Sequence, residues 1–435
     1  MAKKKQNLTP EERLAAALVP EEEWPYALPD GWKWVRIGAL NDYKSSSITP
    51  STNPDDTFEL YSVPSIVNDY PEITKGMDIG STKQLVEKDD VLLCKINPRI
   101  NRVWKVSAHT THKCLASSEW IVVRARSFFA SDYLMWFFRC PYFRERMLSN
   151  VSGVGGSLMR AKPRYVQTYP VALPPLSEQH RLVARIESLF AKLDAAREKV
   201  QSVLDSHETR KAALLHDAFT GKLTAKWREE HGISLVNWQT RSLSDCGTWK
   251  GGGTPSKAHP DYWENGEIMW VTSKDMKSDK IQDTQMHITP LGVEQSSAIY
   301  SEKPAVLFVT RSGILRHTLP VALVNRPFTT NQDLKSLTPN ENIDTQYLFF
   351  AAKAFSGQIL KTCMKNGTTV ESINTKKLME FLLPIASMRE QKVIAKMLRQ
   401  LLNKEQRARQ AAEETLTAID RMKQSILARA FRGEL

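Results

Sequence analysis

Cysteine is scarce in this chain: Cys94, Cys114, Cys140, Cys246 and Cys363 are an odd number spread over 435 residues, with no CxxC couple. A disulfide framework is not expected. The nearest approach to a metal cluster, His109, His112 and Cys114, lacks a second pair at ligand spacing and reads as structural. Long apolar runs are missing as well. Stretches such as Tyr133–Phe138 stop far short of the ~18 residues of a spanning helix. The basic Met1–Gln6 leads into no apolar signal region, so the expected address is cytoplasmic. Catalytic signatures are wanting too. Gly153-Val154-Gly155-Gly156 and Gly251-Gly252-Gly253 lack the Lys-Ser/Thr of a phosphate loop and the spacing of a dinucleotide fingerprint. Asn97-Pro98-Arg99-Ile100 has neither the second proline nor the aromatic of an adenine-methyltransferase tetrapeptide. Pro260-Asp261 with Asp275-Met276-Lys277 fits a nuclease pattern only loosely. No nucleophile, general base or metal set stands out. The chain is expected to be no enzyme by itself, with no catalytic or metal residue and no cofactor of its own.

What is present begins with charge. Lys and Arg number 60 against 48 Asp and Glu, a net +12, with 41% hydrophobic and 25% charged residues. That is an ordinary globular composition with a basic excess suited to a polyanion. The length is about three times the ~150 residues of a typical domain, so two or three domains are expected.

The decisive feature is an internal repeat. Glu178–Leu223 and Glu390–Leu435 align without a gap; Leu189 matches Leu401, Lys192 matches Lys404, Arg197 matches Arg409 and Leu215 matches Leu427. Ala218-Phe219-Thr220-Gly221-Lys222-Leu223 mirrors Ala430-Phe431-Arg432-Gly433-Glu434-Leu435. Upstream, Trp32 and Trp238 each open a β-like segment, Tyr133-Leu134 matches Tyr347-Leu348, and Gly153 matches Gly367. The plan is therefore a leader (1–31), a globular domain (32–172), a helical spacer (173–223), a linker (224–237), a second globular domain (238–382) and a second helical spacer (383–435).

Both repeated stretches read as helix. Leu182, Ile186, Leu189, Leu193, Ala196, Val200 and Val203 recur at alternating spacings of four and three, and Ile394, Leu398, Leu401, Ala408, Ala412, Leu416, Ile419 and Ile426 do nearly the same. Ser177 and the Ser387/Glu390 capping box mark the starts, and Gly221 and Gly433 sit where a C-terminal glycine belongs. About 42 residues at ~1.5 Å each give a rod of roughly 60 Å. Length, duplication and heptad phase favour a paired coiled coil over two ordinary core helices. The globular parts carry short strand candidates (Val91–Cys94, Leu115–Val123, Val306–Val309, Leu319–Val324) and aromatic helices (Asp132–Met147, Asp344–Ile359). The fold class expected is α+β.

Basic residues mark a binding surface. Lys95, Arg99, Arg102 and Lys105 follow a strand candidate with no acid among them; Arg311 and Arg316, with His317, follow the corresponding strand of the second half. Arg139, Arg144, Arg146, Arg160, Lys162 and Arg164 extend the first cluster, and Lys257 and Lys274 add to the second. A guanidinium pairs with two acceptors on guanine and lysine neutralises phosphate, so these loops suit DNA. Two similar but unequal readers on a rigid spacer predict an asymmetric, bipartite DNA target.

These features resemble the specificity (S) subunit of a type I restriction–modification system. The resemblance rests on Leu173-Pro174-Pro175-Leu176-Ser177-Glu178-Gln179 with its helix and on Gly221-Lys222-Leu223-Thr224-Ala225-Lys226-Trp227-Arg228 after it. Gly252-Gly253-Thr254-Pro255-Ser256, Asn331-Gln332-Asp333 and the closing Ala430–Leu435 complete it, from about Trp32 to the end. It implies two target-recognition domains alternating with two long helices that pair as an antiparallel coiled coil. It also implies double-stranded DNA as ligand, docking of two methyltransferase (M) subunits that use S-adenosylmethionine, and motor-nuclease (R) subunits that use ATP and Mg. The catalysis then lives on other chains. Leu182, Ile186, Leu189, Leu193, Val200, Ile394, Leu398, Leu401, Leu416, Ile419, Phe219 and Phe431 are the residues assigned to coil pairing and docking. Two departures stand out. Ser387-Met388-Arg389 replaces the compact Pro-Leu-Ser, and Leu435 has no counterpart of Thr224–Arg228 after it, so a contact there is missing or supplied otherwise. Thr9-Pro10-Glu11-Glu12 in the leader is a capping box with no assigned role. Rival readings are a fused methyltransferase–nuclease, a stand-alone DNA-binding regulator and a coiled-coil scaffold.

Overall fold

A computed structural model describes residues 8–153, 159–365 and 370–435. Part of the glycine run 153–156 and Gly367 thus lie outside the described residues. The chain folds as two units. The first combines the chain up to Gln201 with Glu414–Leu435; the second is Ser202–Glu413. Each holds one globular part and a stretch of both long helices, because the helices pair antiparallel and each unit takes opposite ends of the two.

In the first unit a five-stranded sheet runs in the order Ser47–Ile48, Lys83–Leu85, Lys113–Ala116, Thr57–Tyr61, Glu72–Lys75. A three-stranded sheet places Val91–Cys94 between Val103–Lys105 and Trp120–Val123. The stretch expected as one strand over 115–123 is two, because Ser117-Ser118-Glu119 turns the chain: the Trp120 amide donates to the Ser117 carbonyl (3.1 Å). The aromatic helix is likewise split into Ser131–Arg139 and Pro141–Ser149. Proline lacks the amide to continue the ladder and drives Cys140 before it to an extended ψ of 156°. Lys33–Arg36 pairs with Pro170–Leu173 and brings the chain to the helix Leu176–Asp205.

The second unit has the same parts in other proportions. Its five-stranded sheet runs Gly247–Lys250, Leu334–Pro339, Ala305–Val309, Val321–Val324, Lys280–Ile281. A three-stranded sheet runs His287–Ile288, Ile268–Val271, Phe328–Thr330, and Gln239–Ser242 pairs with Leu382–Ile385. Thr345–Ala354 and Ser356–Cys363 are its aromatic helices.

The first long helix is broken once, at Ser206, before resuming as His207–Phe219; Ser206 hands its hydroxyl back to the Ser202 carbonyl (2.6 Å), a local bond that competes with the helical ladder. The second, Met388–Ala430, is continuous. In the first unit Lys423 pairs with Asp194 (2.5 Å) and Arg197 with Asp420: three residues forward on one helix meet three back on the other, the antiparallel register. In the second, Arg210 meets Glu405 (2.8 Å) and Arg228 meets Glu390 (2.8 Å), with the same direction.

Each helix end is sunk in a core. Leu182, Ile186 and Phe431 are buried with Trp34, Tyr133 and Phe137 in the first unit. Ile394, Leu398 and Phe219 are buried with Tyr347 and Leu348 in the second. Glu390 does not close its own capping box. Its amide donates to the Ser387 hydroxyl (3.3 Å), but its wholly buried carboxylate accepts from Arg228 (2.8 Å), Thr224 (2.7 Å) and the Trp238 indole (2.8 Å). The first unit answers with the leader. Arg181 donates to the Leu435 carbonyl (2.8 Å) and Tyr26 to that of Phe431 (3.1 Å), while Pro29 packs where any side chain on Gly433 would stand. Gly433 (φ 77°) and Gly221 (φ 79°) both take the left-handed turn that ends each repeat. The leader, to which the sequence assigned no role, thus packs against the end of the second repeat.

Candidate nucleic-acid interface

In the first unit all four residues of Val91–Cys94 are buried, so the hairpin they form with Val103–Lys105 is anchored in the core and presents its turn, 95–102, outward. Asn97 (φ 49°) and Asn101 (φ 53°) adopt left-handed backbone on either side of the single turn Pro98–Ile100, a conformation asparagine tolerates better than most residues. A second segment is laced alongside. The Asn97 amide donates to the Met159 carbonyl (2.7 Å), and the Ala161 amide to that of Lys95 (2.8 Å). Arg144, from Pro141–Ser149, donates to the Arg99 carbonyl (2.8 Å). Lys95, Arg99, Arg102 and Arg160 are thereby gathered with Arg144 on one loop pair, Arg99 exposed at its tip and Arg160 tethered to Glu119 (3.3 Å).

Lys105 does not join them. It lies opposite Val91, at the base of the hairpin, and its ammonium pairs with Asp132 (2.5 Å) at the start of a helix. The four-residue basic run in the sequence is therefore split by the strand: three cations ride the turn and one is held at the foot.

The second unit repeats the device. Between Ala305–Val309 and Val321–Val324 the loop carries exposed Arg311 and Arg316 around the short turn Gly313–Arg316. Its companion segment is laced by the Ser312 amide to the Glu371 carbonyl (3.0 Å) and the Ile373 amide to that of Thr310 (2.8 Å). Arg316, 65% exposed, pairs with Glu371 (2.5 Å) and holds that carboxyl below the usual glutamate range. Both predicted arginines thus share one loop.

Beside that loop the two short motifs noted in the sequence meet. The Thr310 and Arg311 amides both donate to the Asp333 carbonyl (2.8 and 3.2 Å), and the Asn331 amide donates to the Val271 carbonyl (3.0 Å). Gly253 donates to the Thr330 carbonyl (2.9 Å), and a Cβ on Gly252 would stand 2.2 Å from that same oxygen. Only glycine lets the Gly252–Ser256 loop lie against Asn331–Asp333. Thr254 then donates to the Gln332 side-chain oxygen (2.6 Å). Lys257 and Lys274 are exposed on neighbouring loops, outside the lacing that joins Arg311 and Arg316. Composition cues favour cations, so the sequence could not single out the uncharged Gln332.

The helical surface has a separate character. Leu182, Ile186, Ile394, Leu398, Ile419, Phe219 and Phe431 are buried, whereas Leu189, Leu193, Val200, Leu401 and Leu416 are only half-buried. Away from the cores, each helix thus keeps a narrow apolar seam and a broad polar face.

Comparison with known proteins gives the context. The family model described as "Type I restriction modification DNA specificity domain" matches residues 235–414. The specificity subunit of the type I restriction enzyme EcoR124I/EcoR124II of Escherichia coli is 39% identical over 163 residues, 38% of this chain and 40% of its own length. The MjaIX specificity subunit of Methanocaldococcus jannaschii is 28% identical over 37% of each chain. These alignments span about two fifths of either relative. The EcoKI specificity subunit of E. coli K12 aligns further, at 21% identity over 81% of this chain and 76% of its own. The crystal structure of the HsdS subunit from Thermoanaerobacter tengcongensis shares the fold, with a TM-score of 0.67 over 95% of this chain and all of that one, at 21% identity.

Proposed function

We infer that this chain, which belongs to the family of type I restriction–modification specificity subunits, is the part of such a system that finds the DNA sequence and gathers the catalytic subunits on it. The observation that carries this reading is the repeated basic loop. Each unit presents arginines from the turn of a core-anchored hairpin, laced to a second segment, and the two sets differ in sequence and number. Guanidinium groups on rigid turns can reach base edges in the major groove, while the flanking lysines neutralise phosphates. Because the units differ, the DNA they read together is two unlike half-sites with a gap between them.

The half-exposed seam of the long helices is the docking surface for two M subunits. S-adenosylmethionine and adenine methylation belong to those subunits, and ATP-dependent restriction to R subunits that join them. This chain contributes recognition and assembly, not bond-making, and works in the cytoplasm. No helix among the described residues is long and apolar enough to cross a membrane.

Modified-base sequencing of host DNA tests the proposal. With the chain present beside an active M partner, one adenine-methylated bipartite motif is expected; with the reading frame deleted, that motif disappears. Methylation unchanged by the deletion refutes it.

A further inference from the structure

We propose that Gln332 is a base-reading residue of the second unit, with Thr254 as its positioning residue; this rests on the DNA-recognition reading above and deepens it. Gln332 is exposed, yet its amide is tied down by the Thr254 hydroxyl, which donates to its oxygen (2.6 Å). The turn beneath it is fixed. Asn331 is buried and exchanges bonds with Asp333, side-chain oxygen to backbone amide and side-chain nitrogen to carboxylate, both 3.2 Å. The Asp333 carbonyl in turn anchors the amides of Thr310 and Arg311, so Gln332 stands one residue from the anchor of the arginine loop.

A tethered amide differs from a free one in what it can recognise. With one lone pair of its oxygen engaged by Thr254, the other lone pair and the NH2 remain available on an exposed side chain. That is the donor–acceptor couple that matches the N6 and N7 edge of adenine. The first unit has Ser118 at the matching place, in a turn where the Glu119 amide donates to the Ser117 hydroxyl (3.3 Å). A short hydroxyl offers one contact where glutamine offers two, so the half-sites differ here.

The test uses the full chain co-expressed with its M partner, read by modified-base sequencing. Wild type must first yield a bipartite motif; if it yields none, the recognition reading itself fails. Given that motif, Gln332→Ser should relax one base position in one half-site, with discrimination there falling about ten- to a hundredfold, while the other half-site is untouched. Thr254→Val should relax the same position and Thr254→Ser, which keeps the hydroxyl, should restore it. A motif unchanged in Gln332→Ser overturns the proposal, and so does an equal loss of methylation at every site without any relaxed position, since that is the behaviour of a structural or phosphate contact. Gln332→Asn, which keeps the amide but shortens its reach, separates loss of reading from loss of folding: soluble yield as wild type with the same relaxed position supports the assignment.

Discussion

Glu59 and Glu390 are carboxylates with no exposure to solvent, and each is kept by the bonds made to it. Glu390 sits under Arg228, Thr224 and Trp238. Removing one partner of a buried ion pair strands the other, at a cost of about 3–5 kcal/mol. Glu390→Ala should therefore lower the unfolding free energy of the second unit by that amount in chemical denaturation, more than Arg316→Ala, whose pair lies at the surface. Glu59 accepts from the Tyr61 hydroxyl (2.6 Å), the amides of His109 and Thr110, and the Thr110 hydroxyl. Burial pushes its carboxyl up, but these bonds outweigh it and hold the group below the ordinary glutamate range. A depressed carboxyl contributes stability above its unfolded pKa and loses it as pH falls through the folded value. Acid unfolding of the first unit should thus shift to higher pH in Tyr61→Phe, followed by near-ultraviolet circular dichroism from neutral pH downward.

The hairpin loops carry the second set of expectations. Losing a bidentate guanidinium contact to a base costs about 1–3 kcal/mol of discrimination. Arg99→Ala or Arg311→Ala should weaken binding to the cognate site in a salt titration of the assembled complex, whereas Lys105→Ala, already paired with Asp132, should leave it nearly unchanged. Much of this element-level picture was legible in advance. The heptad spacing gave the long helices, and Gly221 and Gly433 gave their ends, because period and left-handed turns are local properties of the chain. Less local features were hidden. The break at Ser206 cost no hydrophobic period, so the pattern ran through it, and the aromatic period over 132–147 outweighed the stop that Pro141 signals. The strand that sets Lys105 apart from the three turn cations was not visible, because turn and strand look alike in charge. Gln332 was invisible as a reader because its meaning comes from Thr254, far away along the chain and 2.6 Å away in space.

On the scale of the molecule, the duplicated helices explain why the first unit is not one continuous segment. The first takes its last 22 residues, Glu414–Leu435, from the far end of the sequence. Phe431 lies against Tyr133 (5.3 Å) and Phe137 (5.0 Å), edge to face, and is wholly buried. Phe431→Ala should cost about 3–5 kcal/mol, and limited proteolysis should show early cuts within residues 32–172 while 238–382 resists. Phe219→Ala should reverse the pattern. The same arrangement sets a timetable for synthesis. A ribosome delivers the first unit's strands early but its closing helix last, so that half of the protein must wait, unsealed, through the translation of everything between. The second unit, continuous from Ser202 to Glu413, is free to settle first, and the half made earliest becomes the half finished latest.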